Sequence, residues 1–179
     1  MKKLVLIAVF LLGFSLVSMA QNNPTAEIYL GYAYSRCDTQ GADESCNLNG
    51  WNGSVSLNPN NKVGVVVDFG GYYGKVGDDI DANIHSLMVG PKVTFRQERV
   101  TPFVQALIGY AHPNLKAGPT VLAKENDFAM AFGGGLDINI TDLFAVRPVQ
   151  MDYFVVKSGS DMLDNFRYSG GIVFKLGNR

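Results

Sequence analysis

The chain has 179 residues, 15 Lys+Arg against 16 Asp+Glu, a formal charge of −1 and 47% hydrophobic residues. A nucleic-acid binder needs a surplus of cations to neutralise phosphates, and this balance excludes one on electrostatic grounds. The apolar fraction is too high and the charge too low for a disordered chain, and two cysteines are too few for a disulfide-dense mini-protein or a four-thiolate zinc site.

Met1-Lys2-Lys3 is a short positive start, and Leu4 to Ala20 follows without a charge. Ser18-Met19-Ala20 supplies small residues where a signal peptidase reads, so residues 1–20 are expected to be a secretory signal cleaved after Ala20. A retained membrane helix is the alternative, but the run is at the lower edge of spanning length and polar Gln21-Asn22-Asn23-Pro24 follows directly. Position 21 is not Cys, which argues against a lipoprotein. Cleavage removes two lysines and leaves 13 Lys+Arg against 16 Asp+Glu, a charge of −3. Residues 21–179 form one domain on this reading. No later stretch is long and apolar enough for a transmembrane helix, so any membrane crossing must use strands closed into a barrel.

Period-two alternation recurs through the rest of the chain. The first segment, Ala26 to Arg36, sets Ile28, Leu30, Tyr32 and Tyr34 against Glu27, Gly31, Ala33 and Ser35. Asn49 to Leu57 sets Trp51, Val55 and Leu57 against Asn52, Ser54 and Ser56. Val63 to Tyr73 sets Val65, Val67, Phe69 and Tyr73 against Gly64, Asp68, Gly70 and Tyr72. Ile84 to Phe95 sets Leu87, Val89, Val93 and Phe95 against Ser86, Gly90, Lys92 and Thr94. Pro102 to Ala111 sets Val104, Ala106, Ile108 and Tyr110 against Gln105 and Gly109. Asp127 to Ile138 sets Phe128, Met130, Phe132, Leu136 and Ile138 against Ala129, Ala131, Gly133, Gly135 and Asp137. Phe144 to Val155 is the seventh. Phe166 to Leu176 is the eighth, with Phe166, Tyr168, Ile172, Phe174 and Leu176 against Arg167, Ser169, Gly171 and Lys175.

The polar face is rich in Gly, Ala and Ser, with isolated charges of both signs. That suits the crowded interior of a narrow closed barrel whose apolar face meets lipid. The predicted fold is therefore all-β, an eight-stranded antiparallel up-and-down transmembrane β-barrel. The seventh segment breaks parity, because Arg147 is odd while Gln150 and Asp152 are even. Pro148 cannot donate to a ladder and often marks a bulge, and one extra residue there would bring all three to the interior. The alternative places Arg147 at the lipid boundary, snorkelling to the headgroups.

Connections alternate in length. Residues 58–62, 96–100 and 139–143 are tight polar turns, whereas 37–48, 74–83, 112–126 and 156–165 are longer loops. Short periplasmic turns and longer outer loops describe an outer-membrane barrel. Tyr34, Trp51, Tyr73, Tyr110, Phe128, Tyr153 and Phe166 all fall at loop-proximal strand ends, as an aromatic girdle at headgroup level requires.

These patterns resemble the small eight-stranded outer-membrane β-barrels of the OmpA/OmpX and opacity-protein type, a porin-like family. The resemblance is carried by Arg99-Val100-Thr101-Pro102-Phe103, Phe132-Gly133-Gly134-Gly135-Leu136-Asp137, Arg147-Pro148-Val149-Gln150-Met151-Asp152-Tyr153 and Arg167-Tyr168-Ser169-Gly170-Gly171-Ile172-Val173-Phe174. It implies Sec export to the bacterial outer membrane and contact with outer-membrane lipid and with the insertion machinery. Many such barrels finish on an aromatic residue, whereas Phe174 here is followed by Lys175-Leu176-Gly177-Asn178-Arg179.

Cys37 and Cys46 enclose a short loop segment and are expected to form a structural disulfide, since redox chemistry favours a tighter C-x-x-C. Asp79-Ile80-Asp81-Ala82-Asn83 opens like a calcium loop, but Ile84 stands where Gly is needed and Gly90 where Glu is needed. A solvated acidic loop follows, and no metal or cofactor is expected. His85 and His112 are not accompanied by a converging nucleophile and carboxylate, so the chain is not read as an enzyme. Glu27, Asp68, Asp137 and Asp152 against Lys92, Arg147, Arg167 and Lys175 form the expected lumen ion-pair network. It would occlude the lumen, leaving a structural or interactive role to the loops of a monomer whose extracellular ligand the residues do not name. The first alternative is a narrow porin-like channel for ions or small solutes. The second is a soluble periplasmic lipocalin-like binder with the two faces exchanged.

Overall fold

The computed structural model describes residues 24–37, 46–76, 80–117, 120–123, 127–158 and 161–178, together with the turns 58–62, 95–99 and 140–143 that these spans include. Residues 1–20, expected to be an export signal, and Asp78 and Asp79 lie outside the described residues. Nine strands follow: β1 (Pro24–Cys37), β2 (Cys46–Leu57), β3 (Val63–Val76), β4 (Ile80–Thr94), β5 (Val100–Ala117), β6 (Thr120–Ala123), β7 (Asp127–Asn139), β8 (Phe144–Ser158) and β9 (Asp161–Asn178). Eight of them close a cylinder. Each pairs antiparallel with its sequence neighbours, β4 pairs with β5, and β1 joins β9, so no barrel strand is left as an edge. Closure is what removes unpaired backbone groups from the wall.

The alternating residues divide as a two-residue period demands. Leu30, Val65, Leu87, Ile108, Met130, Val149 and Ile172 point outward and are exposed, while Glu27, Asp68, Lys92, Asp137 and Arg167 are buried inside. This is the reverse of a lipocalin-like interior, in which the apolar side chains would surround the axis. The soluble-binder alternative is therefore overturned.

The strands run further toward the loop end than the alternation suggests. β3 reaches Val76 and β4 begins at Ile80, so the second long loop shrinks to a short connection. The third long connection, read as a loop over 112–126, continues β5 to Ala117 and adds β6, which pairs back on β5 across a register shift between Leu115 and Lys116. Above the apolar zone the ladder continues while both strand faces tolerate polar residues, so alternation fades before the backbone pairing does.

β8 carries the irregularity expected at Pro148. Leu136 pairs with Val149 and Ile138 with Val146, while Arg147 faces Gly171 and Gln150 faces Ser169. On both flanks three residue steps of β8 oppose two of its neighbour, the signature of one extra residue. Arg147, Gln150 and Asp152 consequently share the interior.

Glycines make the narrow interior possible by close approach. A Cβ on Gly31 would sit 2.2 Å from the Tyr29 phenolic oxygen, and one on Gly135 would sit 2.8 Å from Cζ of Phe103. Both positions hold an inward aromatic ring that any larger residue would displace.

Candidate functional site

The lumen concentrates the charged chemistry. Arg167, from β9, stands between two carboxylates. Its Nη1 donates to Asp68 Oδ1 at 2.8 Å and to the Tyr72 hydroxyl at 3.0 Å, and its Nη2 donates to Asp152 Oδ2 at 2.8 Å. Asn52 Nδ2 donates to the second Asp68 oxygen at 3.0 Å. Gln105 Nε2 and Gln150 Nε2 donate to Asp152 at 3.0 and 2.8 Å. Gln150 in turn accepts from Arg147 Nη1 at 2.7 Å, and Arg147 grips Asp137 with Nε and Nη2 at 2.7 and 3.0 Å. This fork-on-carboxylate geometry is the strong form of an ion pair.

A second group lies toward the turn end. Lys92 Nζ reaches Glu27 Oε2 at 2.9 Å, and Arg96 Nη2 reaches Glu27 Oε1 at 2.8 Å. Arg147 also lies 4.3 Å from the Tyr29 ring centroid and 4.2 Å from that of Phe103, while Lys92 lies 4.6 Å from the Phe103 ring. Aromatic faces solvate these cations where water is excluded. The four carboxylates Glu27, Asp68, Asp137 and Asp152 meet the buried cations Lys92, Arg147 and Arg167 and the partly buried Arg96, so the formal charges of the set sum to zero.

Seven of the eight sequence-predicted lumen residues fall inside these two groups. Lys175 stands apart: it is the register partner of Glu27, yet it is half-buried and its ammonium donates to Asn139 Oδ1 at 2.6 Å. Arg96 occupies the place beside Glu27 instead. By sequence it falls in a tight turn, although it continues the inward row of Lys92 and Thr94. The amides Asn52, Gln105 and Gln150 share inward parity with the charges they bond. Toward the loop end the interior becomes apolar. Leu107, Ala111, Ala129, Ala131, Phe154 and Val156 belong to one buried cluster, and Ala33, Leu48, Tyr72 and Ala82 to another.

On the outer face, Trp51, Tyr73, Tyr110, Phe128, Tyr153 and Phe166 are exposed near the loop end, and Tyr34 is half-buried beside them. Tyr153 and Phe166 are cross-strand partners with ring centroids 5.5 Å apart. Phe95, Phe144 and Phe174 form an exposed aromatic set at the turn end that sequence reasoning did not single out. Their outward parity beside the tight turns was the available signal. His85 is exposed and packs its ring edge-on against Tyr73 at 5.7 Å, away from the buried carboxylates.

Residues 6–174 match the family described as outer membrane protein beta-barrel domain. The chain belongs to that family. It is a protein of the bacterial outer membrane, and its outward apolar side chains face the lipid. The fold is similar to that of Neisserial surface protein A, at 13% identity and a TM-score of 0.73, covering 85% of this chain and 97% of that one. It is also similar to Ail, the attachment invasion locus protein of Yersinia pestis, at 21% identity and a TM-score of 0.60, covering 85% and 99%. The N-terminal β-barrel domain of OprF from Pseudomonas aeruginosa aligns at 18% identity with a TM-score of 0.54, covering 86% and 98%. At these identities the likeness speaks for fold alone. No curated protein sequence matches the chain.

Two stability measurements follow. Arg167→Met leaves Asp68 and Asp152 facing each other without their shared cation, and urea unfolding in lipid vesicles should show a loss of about 3–5 kcal/mol. A loss below about 1 kcal/mol would remove the pair from the stabilising interior. Phe132→Arg puts a charge on the lipid face at mid-strand and should cost about 2–4 kcal/mol in the same titration.

Proposed function

We propose that the protein is a closed membrane anchor, plugged by its own side chains, whose loops act outside the cell in envelope integrity or adhesion. The supporting observation is the unbroken chain Asn52–Asp68–Arg167–Asp152–Gln150–Arg147–Asp137 across the interior. Each of its members is 4% exposed or less. Charges lining an aqueous pore stay hydrated, whereas these have exchanged water for one another. An eight-stranded barrel has an interior just wide enough for side chains to fill. The apolar packing toward the loop end adds a zone that water does not favour.

In this reading the short turns face the periplasm and the loops face outward. Residues 1–20 are a cleaved export signal, the insertion machinery places the barrel, and it works as a monomer. The exposed aromatics near the loop end form the girdle at the outer headgroups. Ail has been captured with the heparin analogue sucrose octasulfate. For this chain an extracellular ligand of the loops is the corresponding role, and no catalytic role is assigned. A narrow channel is favoured by one feature, a turn-end cavity of about 310 Å³ lined by Arg96, Glu98, Asn139 and Lys175. Its lining residue Arg96 is tied to buried Glu27.

A disulfide between Cys37 and Cys46 belongs to the same proposal. The two are register partners on β1 and β2. Directly paired antiparallel residues hold their Cα atoms roughly 4.5–5.5 Å apart, within the span a disulfide bridges. It would tie the base of the first loop.

In planar bilayers the purified protein should give no steady unit current, and sustained openings would replace the plug with the channel. Under denaturing conditions Cys37 and Cys46 should resist iodoacetamide until a reductant is added. Two labelled cysteines before reduction would exclude the disulfide.

A further inference from the structure

The outer wall carries an indentation that spans four strands. An apolar groove of about 640 Å³ lies across β4, β5, β7 and β8, with the small outward Ala106 among larger neighbours such as Ile108, Phe132 and Tyr153. The sheet accounts for the dent. The β4–β5 register runs to Val89 and Ile108 and resumes at Lys92 and Gln105, passing over Gly90 and Pro91. Proline has no N–H to give the ladder, and the outward Ala106 on the neighbouring strand adds only a methyl group to the wall.

Above this groove the same outward row changes chemistry. On β8, Tyr153 and Val155 line the groove. Lys157 follows two residues further toward the loop end, about 7 Å along the strand. It is exposed, and its cross-strand partner is Phe128, which in turn faces Tyr110. The wall thus presents an apolar recess and then, in the direction from bilayer interior to headgroup, a cation at the level of the Phe128 and Tyr110 rings. That order complements a lipid, apolar below and anionic above.

We propose that this groove seats one acyl chain of an anionic phospholipid-type molecule whose phosphate is held by Lys157. The small outward Ala106 leaves depth among its larger neighbours, so one lipid is held in place while its neighbours exchange. Lys157 supplies preference for the phosphate, of the size expected for a single lysine at an anionic headgroup.

Native mass spectrometry of the protein purified from outer membranes into detergent tests this. Titration with palmitoyl-oleoyl phosphatidylglycerol should give one preferred adduct, with diacylglycerol of the same chains binding about fivefold more weakly. Free glycerol phosphate should give no comparable adduct, which separates a seated lipid from a simple anion site. Ala106→Phe fills the recess and should weaken the adduct about tenfold. Ala106→Leu provides the same test with a smaller side chain should the larger one impair folding, which heat-dependent gel mobility reports. Lys157→Gln should bring phosphatidylglycerol down to the diacylglycerol level. Val55→Phe, on the outward face of β2, should change nothing. An undiminished adduct in folded Ala106→Phe and Ala106→Leu, equal binding of the two lipids to the unaltered protein, or a dimer in place of the adduct would overturn the proposal.

Discussion

A strand in hydrocarbon has no water to satisfy its N–H and C=O groups, and that single constraint organises this protein. It forces eight strands into a closed ring, in which β1 must meet β9 and β4 must meet β5. Once the ring is closed, alternation assigns every residue either to lipid or to the lumen. Apolar residues can take the lipid side at no cost. The lumen side inherits everything else: small residues where space is short, and polar residues that must find partners among themselves.

The partners they find constrain the register as well as the charge. Replacing a buried ion pair by apolar side chains is often neutral or stabilising, so stability alone does not explain why Arg167 stands between Asp68 and Asp152. Register offers a better account. Sliding one strand by one residue exchanges its two faces. Here such a slip would push Arg167 or Asp68 into lipid and leave the opposite partner buried and unpaired. Phe103 has a related effect, because its ring lies against both Lys92 and Arg147 and occupies the room left by Gly135. The neutral sum of the network keeps the cost of burying it finite. Misaligned neighbours would lose that neutrality locally even where the total charge stayed the same.

Much of this arrangement is legible in the sequence because the side-chain period of a strand is two and barrel topology is local. The outward set and the inward charges follow from parity once the turns are placed. Lys175 shows where parity stops being sufficient: it points to the correct side, but at the strand end its ammonium reaches Asn139 across the mouth. Arg96 shows the converse, since a residue beyond the end of β4 reaches back to Glu27 with a long side chain. The extensions of β5 and the extra β6 were illegible for another reason. Outside the hydrocarbon no face needs to be apolar, and pairing continues without its sequence signature.

The bulge at Pro148 is where local irregularity and global chemistry meet. In an unbroken ladder Arg147 would share the outward face with Val149, Met151 and Tyr153, and a guanidinium on the lipid side of a barrel costs up to about 2–4 kcal/mol depending on depth. The extra residue turns the first part of β8 by one position, so that Arg147 enters the lumen and meets Asp137, Gln150, Tyr29 and Phe103 together. Proline suits the site because the bulged position gives up a ladder hydrogen bond in any case. The same imino acid at Pro91 acts differently. There the two strands keep their register on either side, no charge is redirected, and the consequence is a shallow place in the wall. What a proline does in a membrane strand is thus decided by whether the ladder absorbs it with an added residue or passes over it, and the side chains beside each one register the difference.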